Sequence, residues 1–307
     1  MSRGNMSRDN QRLGILLMIL VSLIFATQDA LSRHLAGKYH VITVVTIRFW
    51  FFALVTVIWS ASRAGGVRKV ARSAHPWWQI ARSALLIVEI WVTVIAFVKL
   101  GLIATHSIFA IYPLLVAGLA GPFLGEYVGW RRGSAILVGL VGVLIILRPG
   151  IAVFDPAAIY PLTGALMFAV YALMTRRVSW EDSADTTFFY TGVVGAAVST
   201  VAVVFFWTPI EGADWIWMAI LCVMAAGSHF LLIKVYELAE ASVVQPFSYF
   251  QLVFACALGL MFFGERLDIY TVLGTALILA AGLYTLLRQK RLGIQPPESE
   301  AAASVGD

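Results

Sequence analysis

Two charged residues sit well inside apolar runs: Arg48 in VITVVTIRFWFF and Glu89 in ALLIVEIWVTV. A charge near the middle of a lipid-spanning segment costs about 2.5 to 3.5 kcal/mol on insertion scales, so such groups face protein or water. Either the two form a structural ion pair or they contact a polar cargo. A run of Gln245, Ser248, Tyr249 and Gln251 within two helical turns is too polar to face lipid and should face inward. Its amides and hydroxyls could bond a zwitterion. Tyr249 and Tyr112 could pack against an apolar or aromatic side chain. Ser22 and Asp29 are seven apart and share one helical face, with Gln28 one step round, and His229 is a lone histidine in an apolar segment. If His229 titrates near neutrality it can carry a proton; otherwise it is a packing residue. Pro113 and Pro246 each remove a backbone donor, which frees a carbonyl and permits a hinge or a static kink.

These residues must be positioned by membrane-spanning helices. With 60% hydrophobic and 13% charged residues the chain is too apolar for a soluble domain. Ten runs are predicted to span about 30 Å of hydrocarbon, at 13–32, 41–62, 80–99, 106–125, 133–148, 159–178, 187–207, 215–238, 241–263 and 269–288. Arg3, Arg8 and Arg12 before the first run resemble a signal peptide, but the run is long and lacks a small-x-small cleavage site, so it is read as an anchor. Arg82 and Lys99, near the ends of the third span, are expected to snorkel, and Lys234 likewise. Cys222 and Cys256 fall within spans and read as small apolar residues.

Basic residues outside the spans are unevenly divided. Arg63, Arg68, Lys69, Arg72, Arg131, Arg132, Arg176, Arg177, Arg288, Lys290 and Arg291 fall on the side of the N-terminal arginines, and Arg33, Lys38, Arg148 and Arg266 on the other. The positive-inside rule places both termini in the cytoplasm. The same asymmetry explains the net charge of +5 without a nucleic-acid partner. No cluster of His, Cys, Asp and Glu has metal-ligand spacing, and no cofactor is implied.

The chain repeats itself. Leu124–Arg148 matches Phe263–Arg288, each a Gly-Glu turn followed by an apolar helix, and Phe25–Arg33 matches Phe168–Arg176, which pairs Gln28 with Tyr171. Five helices per copy is an odd number, so the second copy enters from the opposite face. The expected fold is therefore all-α and integral to the membrane, with ten transmembrane helices as two inverted five-helix repeats. The boundaries are a cytoplasmic segment 1–12, a first repeat 13–148, a second repeat 159–288 and a tail 289–307 expected to be disordered. Gly139 and Gly142, and Gly192 and Gly195, are read as faces for close helix packing, and Glu126 and Glu265 as braces of the repeat turns.

Leu-Gly-Glu with Gly-Trp-Arg-Arg (Gly129–Arg132), Ile-Leu-Arg-Pro-Gly after Gly139 and Gly142, Gly-Glu-Arg-Leu (Gly264–Leu267) and Phe189-Tyr190 occur in this order over residues 13–288. The chain resembles the EamA-type ten-helix branch of the drug/metabolite transporter superfamily, and its aromatic content is similar to that of the bacterial aromatic amino-acid exporters. The resemblance implies a multi-pass protein of the bacterial inner membrane that exports amino acids or similar small metabolites by alternating access. Its partners would be a small-molecule substrate, membrane lipid and protons as a coupling ion. A multidrug efflux carrier is one alternative; a nucleotide-sugar or sugar-phosphate carrier is another, but would be expected to need a central basic cluster where only Arg48 is well inside a span. A polytopic enzyme using Glu89, Asp29 and the histidines has no supporting nucleophile-base spacing.

Overall fold

The computed structural model describes residues 8–124, 130–147, 155–238, 244 and 247–291. The described residues form α-helices and one 3₁₀ turn. The helices are α1 (Arg8–Ala36), α2 (Val41–Ser62), α3 (Gly66–Val70), α4 (Pro76–Leu100), α5 (Leu102–Phe109), α6 (Tyr112–Leu124), α7 (Trp130–Leu147), α8 (Ile159–Val178), α9 (Ala184–Phe206), α10 (Asp214–Leu238), α11 (Phe250–Phe263) and α12 (Ile269–Arg291). Among the described residues, six apolar segments are long enough to cross a membrane, and three shorter apolar helices accompany them. Backbone polar groups in lipid must be bonded within their own segment, which is why the apolar runs are helical.

The fourth expected span is where the fold departs most from the sequence reading. It begins at Leu102 instead of 106 and breaks at Ala110–Ile111 into α5 and α6. Pro113, in the first turn of α6, cannot donate to the carbonyl of Phe109, and the chain turns through the shorter bond from Ile111 N to Ile108 O at 3.2 Å. The break leaves Phe109 and Tyr112 projecting near Phe168 of α8, with ring centroids 5.6 and 5.0 Å from it.

Glycines set the closest approaches. A side chain at Gly142 of α7 would lie 2.7 Å from the Gly274 carbonyl oxygen of α12, so these two backbones meet directly. On α9, Gly192 admits Thr56 of α2, and Gly195 admits Phe49 of α2 and Ile87 of α4.

The loops gather at two opposite ends of the bundle. At one end Lys38 and Tyr39 bond Asp214 at 3.0 and 2.8 Å, and Arg33 pairs with Glu265. At the other, Arg63 pairs with Asp185 at 3.1 Å and the 71–75 and 179–183 segments are joined through Asp182 and Glu181. There the Glu181 carboxyl is held below its ordinary range, first by its hydrogen bond to His75 and then by the charges of His75 and Arg177.

Candidate functional site

Arg48 of α2 lies where α1, α4 and α10 converge, with Asp29, Glu89, Cys222 and His229 all within its electrostatic reach. It keeps accessible surface. Among the described residues, no hydrogen bond reaches its guanidinium and no carboxylate comes within ion-pair distance. Arg48 and Glu89 are thus neighbours in the bundle interior without forming the direct ion pair that was one expectation for them.

Each carboxylate near Arg48 is held by an uncharged neighbour. Glu89 is buried and accepts a hydrogen bond from Thr93, one turn on, at 2.6 Å. Gly164 of α8 makes room for that pair, because a side chain there would sit 2.6 Å from the Thr93 hydroxyl. Asp29 of α1 accepts from Gln251 Nε2 of α11 at 3.1 Å and lies 3.4 Å from His106 Nε2 of α5. Asp29 and His106 were not among the residues expected to line the site. Asp29 had a readable signal, being an acidic group in a long apolar run. His106 was readable only as a lone histidine opening the fourth span, and its pairing was not, since Asp29 lies 77 positions away in sequence.

Aromatic rings border this polar group on two sides. Phe109, Tyr112, Phe168 and Tyr171 form one set, with consecutive centroids 5.0 to 5.7 Å apart. The Phe109 ring and the Glu89 carboxylate both border Gly164, which ties this set to the charged residues. On the other side His229 meets the edges of Phe25 and Phe52 at 5.7 and 5.3 Å. Gln28 is buried on α1 beside Asp29, and its Oε1 has no hydrogen-bond partner among the described residues. Tyr249 is half-buried, with its hydroxyl against Gly282 of α12. Ser248 is also half-buried, while Gln245, Pro246 and Glu126 lie outside the described residues.

Arg82 corrects an expectation. Instead of snorkelling it is fully buried, because the bundle supplies acceptors on three helices. Its guanidinium bonds Gln79 Oε1 at 2.6 Å, the Thr187 carbonyl at 2.6 Å, the Thr191 hydroxyl at 3.1 Å and the Tyr171 hydroxyl at 3.3 Å. Gln79 passes the network to Asp182, which holds Ser73 and the Ala74 amide. Tyr171 therefore belongs at once to the ring set and to the closure of one end. At the other end Glu265 accepts from the Leu102 and Ile103 amides at 2.7 and 2.8 Å and caps α5, while Arg33 pairs with it and lies 4.0 Å over the Phe263 ring.

A bundle of long apolar helices that keeps charged side chains such as Arg82 and Glu89 in its interior is a multi-pass membrane protein. The chain belongs to the EamA-like transporter family, whose model matches twice, over residues 12–148 and 155–287. It is similar to the S-adenosylmethionine uptake transporter of Rickettsia felis, 26% identical over 92% of this chain and 95% of that one. Its similarity to the riboflavin transporter of Rhizobium johnstonii is 28% identity over 92% and 94%. The pseudopaline exporter of Pseudomonas aeruginosa is 25% identical over 87% and 94%. A solved crystal structure shares the fold, with a TM-score of 0.61, 19% identity, and coverage of 93% of this chain and 99% of the other.

Proposed function

We propose that this chain is a bacterial inner-membrane carrier of ten spans, with both termini cytoplasmic, that exports amino acids, aromatic or other neutral ones, or small metabolites built on an amino-acid head. It works by alternating access between two inverted repeats. The observation that carries this is Arg48: a guanidinium in the bundle interior with Asp29 and Glu89 near it and no direct ion pair. Arg48 can take the carboxylate of a zwitterion and the acidic residues its ammonium, while the two ring sets accept an aromatic or heteroaromatic body. S-adenosylmethionine and phenylalanine share this combination, which joins the relatives named for the former to the aromatic amino acids. A phosphate-bearing cargo is disfavoured because Arg82, the other buried arginine near the site, already bonds four protein groups.

The Arg82 network, on the arginine-rich side, is the cytoplasmic closure, and Arg33 with Glu265 is the outer one. Gln28, Arg48, Glu89, Tyr112, Tyr171, His229, Tyr249 and Gln251 are assigned to the substrate path, with Asp29 added. The test is flux of labelled phenylalanine, S-adenosylmethionine and riboflavin in proteoliposomes containing only this protein. Saturable flux of the first two, each competing with the other, supports the reading. Flux of riboflavin alone replaces the zwitterion with a neutral ring cargo.

A further inference from the structure

We propose that Asp29 and His106 together form a proton-binding site, with His106 as the group that takes and releases the proton. The proposal rests on the carrier reading but concerns the coupling ion, for which the sequence pointed to His229 or Glu89.

His106 Nε2 lies 3.4 Å from Asp29 Oδ2, and its ring is stacked on Phe97 with centroids 5.2 Å apart. Nε2 is buried and has no other hydrogen-bond partner among the described residues. When the neutral ring gains a proton, both nitrogens become donors and Nε2–H is directed at the carboxylate. The proton is taken from water and returned to water, and no other bond is made or broken.

Arg48 is the cation facing Asp29 from α2, and Glu89 is the acidic group facing both from α4. An imidazolium at His106 gives Asp29 a direct charge partner, and a buried carboxylate is favoured when it is paired.

The remaining neighbours supply no rival. From α10, Cys222 and His229 face Arg48. His229 sits between the Phe25 and Phe52 edges, away from any carboxylate at ion-pair distance among the described residues. From α11 the contact with Asp29 is the neutral Gln251, and Tyr171 of α8 is engaged by Arg82. Glu265 is bound at the start of α5 by Arg33 and two amides. α7 has no ionisable residue between Gly133 and Leu147. On α12, Tyr270 and Tyr284 are exposed. Arg288 lies in the last turn of that helix.

Asp29 also joins α5, within the first stretch that the family model matches, to α11, within the second. A charge change at this pair therefore alters a contact between the halves that alternating access must rearrange.

The experiment is infrared difference spectroscopy of the full chain, reconstituted without cargo and with ¹³C-labelled histidine, on a jump from about pH 8 to about pH 5, a range that brackets the ordinary histidine value. In an E181Q background, which removes the other histidine–carboxylate pair, that of His75 with Glu181, a histidine ring band coupled to a carboxylate band should appear, vanish on adding H106Q, and lose its carboxylate component on adding D29N. It should persist in H229Q. H106Q keeps a donor opposite Asp29, so a folded variant is expected even if D29N does not fold. A band that survives in H106Q, or disappears in H229Q, overturns the proposal. Because no cargo is present, this result is independent of the cargo assay above.

Discussion

At the scale of single residues, the charged groups of the bundle interior are kept from direct contact with one another. Gln251 and His106 engage Asp29, and Thr93 engages Glu89, leaving Arg48 with two carboxylates nearby and none in contact. Substituting Gln251 or Tyr171 by Ala should lower transport with folded protein still in the membrane; unchanged flux in both would remove them from the path. G164A places a methyl group 2.6 Å from the Thr93 hydroxyl, so Thr93 must move and Glu89 loses its donor. We expect a fall in transport of about tenfold, the equivalent of one net hydrogen bond of about 1.4 kcal/mol, and wild-type flux in G164A would show that the Thr93–Glu89 bond does not matter. Arg48 and Glu89 were legible in the sequence because charges in apolar runs stand out. Arg82 was misread because distance from a helix end was taken as access to water, whereas acceptors from α8 and α9 bury it. The pairing of Asp29 with His106 depends on how α1 and α5 cross, and no local pattern encodes that.

At the scale of elements, the helices came through the sequence almost intact, since apolar length alone requires them. The break between α5 and α6 was readable only as Pro113; where the chain turned, and which rings it would expose, depended on packing against α8. P113A restores a donor for the Phe109 carbonyl and should straighten the junction. Slower turnover with little change in apparent affinity is the expected outcome, and a defect confined to affinity would contradict a hinge. G142A forces α7 and α12 apart at the Gly142–Gly274 crossing. A loss of about 1 to 3 kcal/mol is typical of overpacking, and an unaltered thermal midpoint in detergent would show that the crossing tolerates it. At the loop contact, Glu181 contributes fully above the unfolded carboxylate value of about 4.3. Its folded value is lower, so the contribution is lost as pH falls through it. E181Q should flatten that acid limb of stability, and an identical limb in the variant would argue against the His75 contact.

At the scale of the whole molecule, two differently built closures hold the bundle. One is the Arg82 network joining α4, α8, α9 and the 179–183 segment; the other is the Glu265 cap on α5 with its Arg33 partner. One spreads a guanidinium over neutral acceptors and reaches Asp182 through Gln79, and the other is a direct ion pair, so on the proposed alternating-access reading the two ends need not open with equal ease. The internal duplication was legible from the Gly-Glu turns. The difference between the closures was not, because the Arg82 acceptors come from three separate stretches of chain. The central claim is that Arg48 reads the carboxylate and Asp29 the ammonium of a zwitterionic cargo. It is tested most directly by competition in proteoliposomes between phenylalanine, phenethylamine and phenylpropionate, in wild type and in R48Q and D29N. Wild type should prefer phenylalanine over both analogues, with R48Q losing discrimination against phenethylamine and D29N losing it against phenylpropionate. Phenylalanine flux with the same discrimination in all three proteins would contradict the account.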